Sequence, residues 1–383
     1  MLAKESIKTR QIPDKSLLFA ILAMVVFGWI MSFSASLAHF DSYNWFIKQT
    51  IFICTGLTLG LLVLKVPLSL FKKVSVPLFI LTLILLAMVF LPSPIGVTVN
   101  GSSRWINFGF VTFQPSELMK LAMILYMAGF LIRQEKDVRR PWMGFLKTII
   151  IVGMVGALLM KERDVGATVL ITLTAIAMLF AAGSYKTQFG IVVSLFFGVV
   201  LIFILNDPTR LYRLTSYLRG PCNITTLGEL EVHQTCQALI GIARGEWFGT
   251  GLGGGIQKYS LLPEPQTDMI FAVIGEELGI LGMLFVLFSY TYILGKGFNI
   301  AKIALKKGRK YSSFVAFGIC TWFAMQITVN IGMNLGLLPP KGFTLPLLSY
   351  GGSSIILSII SLAILMRVDM ESRTKYVKQR DYV

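Results

Sequence analysis

The chain has 383 residues, 55% of them hydrophobic and 14% charged, with a mean hydropathy of +0.73. A soluble domain is about a quarter charged, so this chain lacks the polar surface to cover a water-facing globule and reads as a polytopic membrane protein. The net charge of +16 would suggest nucleic acid in a soluble protein; here it is the expected crowding of Lys and Arg on inner loops, no nucleic-acid-binding module is visible, and nucleic acid is not expected as a partner.

A membrane span needs about 20 apolar residues. The apolar runs predict an all-α fold of ten transmembrane helices with cores at Leu17–Ser34, Phe46–Leu64, Val76–Leu91, Leu118–Ile132, Phe145–Met160, Ala167–Ala182, Phe189–Leu205, Met269–Leu294, Phe314–Met333 and Leu345–Met366. The first run is too long for a signal peptide and nine more follow, so Ser34–Ala38 is read as part of an uncleaved helix rather than a cleavage site. With the N-terminus inside, inner segments hold 23 Lys and Arg against 11 on outer segments. Both termini are therefore expected in the cytoplasm. The whole chain, 1–383, is expected to be one membrane domain, with 206–268 as a large extracytoplasmic loop within it.

This orientation puts the unusual loops outside: Pro92–Ser116, Lys161–Val165, the 206–268 loop and Gly336–Pro346. In the large loop Val232–Ile242 has apolar residues at helix spacing. Gly249–Gly255 formally contains GxGxxG, but no strand precedes it, so it is read as a flexible turn folding the loop back onto the membrane. Cys222 and Cys236 share this loop, either as a disulfide in an oxidising periplasm or as two thiols. Cys54 and Cys320 fall within apolar runs.

His39 and His233 have no partners at metal-ligand spacing, and no HExxH, P-loop or nucleophile elbow occurs. The candidates are therefore carboxylates, cations and hydroxyls of the outer loops. Leu262–Gly279 carries Glu264, Gln266 and Asp268 into an apolar helix that also holds Glu276 and Glu277. Thr267 or Asp268 reads as the N-cap of a helix opening at Met269; a carboxylate where water meets the membrane also suits a functional role. Glu276 and Glu277 lie about 12 Å deeper and read as structural partners. Arg104 and Trp105 follow Asn100-Gly-Ser-Ser, and Gln114-Pro-Ser-Glu117 precedes Lys120, which can pair with Glu117. Arg163 and Asp164 sit in a short turn, and Lys341 with Ser349 and Ser353 occupies the last outer loop, where Gly351 and Gly352 also allow close helix packing. Arg104, Lys120, Arg163, Arg213, Arg244 and Lys341 together would give an outward cavity a field suited to phosphate or pyrophosphate. A carboxylate among cations suits proton abstraction in group transfer.

These motifs resemble the SEDS family, the membrane glycosyltransferases of shape, elongation, division and sporulation. R-W-I-N-F-G with Q-P-S-E-L, R-G-E-W-F-G-T-G-L-G, L-P-E-P-Q-T-D-M-I-F-A-V-I-G-E-E-L-G and L-P-P-K-G-F-T-L-P-L-L-S-Y-G-G-S-S carry the resemblance over essentially the whole chain. The R-G-E and K-G-x-T-L-P-L forms look more like the division type than the elongation type. The resemblance implies a lipid II polymerase of the bacterial inner membrane, at the division septum, with Asp268 as general base. It implies substrate contacts among Arg104, Trp105, Gln114, Glu117, Lys120, Asp164, Arg213, Arg244, Glu264, Lys341, Ser349 and Ser353. It further implies a class B penicillin-binding transpeptidase and other division proteins as partners, and allows a divalent cation, Mg or Mn, near Asp268. Gln266 and Met269 stand where the family often has His and Phe, and Arg163 where it commonly has Pro, which puts any histidine proton relay in doubt. A lipid II flippase and a scaffold without catalysis are the competing expectations.

Overall fold

The computed structural model describes residues 12–37, 42–92, 96–99, 102–107, 109, 112–138, 140, 142–184, 230–259, 262–339 and 341–373, with scattered positions between 187 and 222. In chain order the described helices are α1 (Lys15–Ser36), α2 (Ser42–Lys65), α3 (Leu68–Met88), α4 (Pro115–Arg133), the short α5 (Glu135–Val138), α6 (Met143–Lys161), α7 (Val165–Ala181), α8 (Leu230–Gly245), α9 (Ile270–Lys306), α10 (Lys310–Asn334) and α11 (Gly352–Arg373). Among the described residues eight are long and apolar enough to cross a bilayer, and α7 is a shorter apolar helix. The expected span Phe189–Leu205 falls largely outside the described residues; Gly190, Val193, Leu195 and Leu201 within it are helical.

Local chemistry sets the helix ends. The Asp14 carboxylate caps α1 by accepting from the N–H groups of Ser16 (3.0 Å) and Leu17 (3.4 Å). Pro115 opens α4, with Glu117 in its first turn and Arg133 in its last, matching the helix dipole at both ends. Asp14 also fixes the topology. Its Oδ2 lies 3.4 Å from Lys296 Nζ and 3.1 Å from Arg373 Nη2, so the start of α1, the inner half of α9 and the end of α11 share one face. This is the basic face, and both described ends of the chain lie on it.

Helices α4, α10 and α11 are buried over most of their length and form the centre with α7 and the outer half of α9, whereas α2 and α3 turn most of their residues outward. A helix exposed and apolar on its outer side fits contact with lipid rather than water. On the face opposite the basic one, the loop expected at Pro92–Ser116 contains a three-stranded antiparallel sheet: β1 (Gly96–Val99), β2 (Ser102–Asn107) and β3 (Thr112–Phe113) in the order β1-β2-β3. Val97 faces Trp105 in this register, and Ile106 is buried beneath.

The glycine-rich segment departs from its expected role as a flexible turn. Helix α9 is broken at Gly279, at φ 65° and ψ −161°. The segment after α8 fills this break and takes up the backbone groups it frees. Thr250 and Gly251 donate to the Glu276 and Glu277 carbonyls (both 3.0 Å), while Ile280 donates to Glu246 O (2.9 Å). A Cβ on Gly249 would lie 2.1 Å from the Glu277 carbonyl oxygen, so the wedge fits only because glycine stands there. Inside a membrane, broken helix is tolerated where protein buries it.

A carboxylate network locks the wedge. Glu276 Oε1 accepts from Arg244 Nη1 (2.9 Å) and from the Ile256 N–H (2.8 Å). Glu277 holds Lys258 at 2.6 Å with both side chains fully buried, and accepts from Ser34 Oγ (2.5 Å). Two charges in the core are tolerable only when paired and hydrogen-bonded, and these are. Cys222 and Cys236 form a disulfide with a Cα–Cα distance of 5.0 Å, which resolves the two alternatives and ties α8 to the chain before it.

Candidate active site around Asp268

Three outer segments converge at the mouth of α9. The first is 262–269, the second 341–350, and the third the outer half of α10. Asn330 and Asn334 of α10 bind them together. Asn330 Nδ2 donates to the Asp268 carbonyl (2.9 Å) and to the Phe343 carbonyl (2.5 Å). Asn334 Nδ2 donates to the same Asp268 carbonyl (3.0 Å). The Tyr350 N–H donates to the Gln266 carbonyl (2.8 Å), and the Tyr290 hydroxyl donates to the Pro346 carbonyl.

The expected N-cap is not made by Thr267 or Asp268. Met269 occupies that position without a side-chain cap, and the Ala272 N–H is satisfied by Asn334 Oδ1 at 3.0 Å. A cap supplied by the neighbouring helix leaves the Asp268 carboxylate uncommitted. That carboxylate accepts from the Thr267 hydroxyl (3.2 Å) and from its own backbone N–H. Gly342 lies directly beside it, since a Cβ there would stand 4.0 Å from Oδ2. Asp268 keeps partial exposure although protein surrounds its carboxyl. Burial pushes the group up to about 7; its own N–H and Thr267 oppose this, and the charge of the exposed Glu264 adds to it. A carboxylate that gains and loses a proton near neutral pH has the property of a general base.

The remaining candidates fall into two groups. Some lie in the outer segments. Lys341 and Glu264 are exposed, Glu264 at φ 48°. Arg104 and Trp105 of β2 are half-buried, and Arg104 Nη2 donates to the Arg163 carbonyl (2.7 Å). Asp164 caps α7 through the Ala167 N–H (3.0 Å) and lies 3.4 Å from the Ser116 hydroxyl, which in turn accepts from Gln114 Nε2 (3.1 Å). The Gln114 N–H donates to Ser353 Oγ (3.2 Å).

Others are held by internal partners. Lys120 is buried, 2.8 Å from Glu117 and 3.2 Å from Gln326 Oε1. Arg244 belongs to the Glu276 network, and Ser349 Oγ accepts from the Leu345 N–H (2.6 Å). The expected field of six cations thus loses Lys120 and Arg244 to ion pairs. Arg213 lies outside the described residues.

Four important groups are absent from the sequence reading. Gln326, Asn330 and Asn334 recur every four residues on the apolar α10. A polar stripe in a membrane helix is a readable signal of function or assembly. Glu162 ends α6 fully buried, its carboxyl oxygens without a hydrogen-bond partner among the described residues. Burial and the neighbouring Asp164 push it up to about 9 against the pull of Arg104, so it is protonated at neutral pH. No sequence signal distinguishes it, because its burial is a tertiary fact.

Fold and site together define a helical, multi-span membrane protein that presents one uncommitted carboxylate at the outer mouth of a central helix. The chain belongs to the FtsW/RodA/SpoVE family of cell cycle proteins, whose family model matches residues 15–374. It is 41% identical over 366 residues to a probable peptidoglycan glycosyltransferase FtsW of Legionella pneumophila, covering 94% of this chain and 91% of that protein. A protein of the same name from Coxiella burnetii is 38% identical over 364 residues, covering 94% and 96%. Among solved structures, a chain of a peptidoglycan synthase complex that coordinates polymerization and crosslinking superposes with a TM-score of 0.79 at 26% identity, covering 95% of this chain and 99% of that one. Thermus thermophilus RodA shares the fold, with a TM-score of 0.69 at 24% identity, covering 95% and 98%.

Proposed function

We propose that this chain is a peptidoglycan glycosyltransferase that polymerises lipid II at the outer face of the bacterial inner membrane, in the service of cell division. The observation that carries the reading is the Asp268 carboxylate, relieved of helix capping by Asn334 and poised near neutral pH. The relatives named as FtsW glycosyltransferases support it.

In this mechanism Asp268 takes the proton from the 4-hydroxyl of the acceptor GlcNAc. That oxygen attacks C1 of the donor MurNAc from the face opposite the leaving group. The C1–O bond to undecaprenyl pyrophosphate breaks, and the anomeric centre inverts. Negative charge grows on the departing pyrophosphate, and Arg104 and Lys341 are the cations proposed to stabilise it. Lys120, Glu117 and Arg244 act through the scaffold, holding α4 to α10 and α8 to α9. A divalent cation would find Asp268 and Glu264 here. Among the described residues no group of three or more His, Cys, Asp or Glu side chains is arranged to hold a metal.

A class B penicillin-binding transpeptidase and other division proteins are the proposed partners, and the septum the proposed location. The resemblance to a chain from a synthase complex supports a crosslinking partner. The test is incubation of the purified protein with labelled lipid II, with and without the cognate transpeptidase. Glycan strands of many disaccharides are expected. Lipid II translocation across vesicles with no glycan product would replace the reading with a flippase, and neither activity would leave a scaffold.

A further inference from the structure

The basic inner face carries a cavity that the outer-face chemistry does not use. It has a volume of about 390 Å³ and opens between the inner ends of α3, α4, α10 and α11, lined among others by Ser69, Lys72, Arg309, Lys310, Tyr311 and Ser312. Among the described lining residues the only acid is Glu371, and that carboxylate is already engaged. It accepts from the Leu68 N–H (3.0 Å) and Arg367 Nε (3.0 Å), with Arg309 Nη1 at 3.9 Å. Lys310 reaches out to Glu135 (2.7 Å). Lys72 is exposed and makes no ion pair among the described residues.

Two further features favour an anion. Helix α10, 25 residues long, begins at this cavity with no side-chain cap, so its first-turn N–H groups and the positive end of its dipole lie there. Ser69 and Ser312 add hydroxyl groups to the lining. Cations, a helix N-terminus and hydroxyls make a phosphate-binding donor set.

The position identifies the source of the phosphate. The cavity lies at the inner ends of the spans, the depth of lipid headgroups. Beside it α3 exposes Leu70, Val74, Ile80 and Ile84, an apolar face along which acyl chains can lie. Among the described lining residues no carboxylate remains available for the cation of a zwitterionic headgroup. We propose that this cavity binds the phosphate headgroup of an anionic phospholipid of the inner leaflet, independently of the reaction at Asp268. Basic pockets between helices at the cytoplasmic surface bind such headgroups in general.

The test is native mass spectrometry of the purified full-length protein in detergent. Phosphatidylglycerol is titrated, with phosphatidylcholine and inorganic phosphate as comparison probes. The expected result is retained phosphatidylglycerol, at least tenfold weaker phosphatidylcholine, and no displacement by equimolar phosphate. Lys72→Gln should weaken phosphatidylglycerol about fivefold, while Lys73→Gln, on the same helix but outside the cavity, should leave it unchanged. Thermal unfolding confirms that both variants are folded, which the exposure of both lysines favours. Unchanged binding by Lys72→Gln, or equal loss in the two variants, would overturn the site. Displacement by phosphate at equal concentration would overturn the lipid as its source.

Discussion

Raising the pH from 6 to 8 should increase the polymerisation rate about tenfold, and the effect should belong to Asp268. Its carboxyl is pushed up to about 7, so the base form is roughly 10% populated at pH 6 and roughly 90% at pH 8. Glu264→Gln removes the one nearby charge that favours the protonated form, so the midpoint should move to lower pH and the rate at pH 6 should rise. Stability runs the other way. The folded state holds its proton between the ordinary carboxylate range, near 3.8, and about 7. The contribution is therefore fully present below about pH 4 and is lost as pH rises through 7. Three units correspond to about 4 kcal/mol at most, less after screening at a partly exposed residue. Asp268→Asn cannot ionise, so it should melt above the wild type at pH 8 and close to it at pH 4. The assays are initial rates on labelled lipid II across pH and thermal unfolding of both proteins. A flat rate from pH 6 to 8, together with identical melting at pH 8, would refute the argument that burial tunes this group.

Asn334→Leu should cost about 0.5–1.5 kcal/mol in thermal unfolding, because the Ala272 N–H keeps only the Met269 carbonyl and the Asp268 carbonyl only Asn330, and it should lower the rate by displacing Asp268. Lys258→Met should cost about 3–5 kcal/mol by stranding Glu277 in the core, and adding Glu277→Gln should recover part of that loss. Reducing the Cys222–Cys236 disulfide, which closes a separation of 14 residues, should lower stability by about 3 kcal/mol. Cys236→Ser should then show no further response to reductant.

The membrane class, the order of the spans and the place of Asp268 were legible in the sequence, because hydropathy and charge asymmetry are local properties that the bilayer enforces. The β-sheet of the first outer loop went unread: V-T-V and S-S-R-W flank an Asn-Gly pair, a turn signal, but the loop lies among apolar helices that drew an all-α reading. The same holds for the polar stripe of α10. The pairing of Lys120 with Glu117 was legible from its i,i+3 spacing, but the fates of the other cations were not. Arg244 and Lys258 look like Arg104 and Lys341 in one dimension, and only tertiary packing shows that they are held by Glu276 and Glu277. The wedge was hidden for a related reason. A glycine-rich run shows that backbone must approach closely, but not that the approach is to a break in α9 around Gly279.

The most direct measurement is polymerisation of labelled lipid II by purified Asp268→Asn beside the wild type, each with its transpeptidase partner. The account predicts a folded variant that makes no glycan strands at any pH from 6 to 8. Strands of wild-type length at the wild-type rate would contradict it.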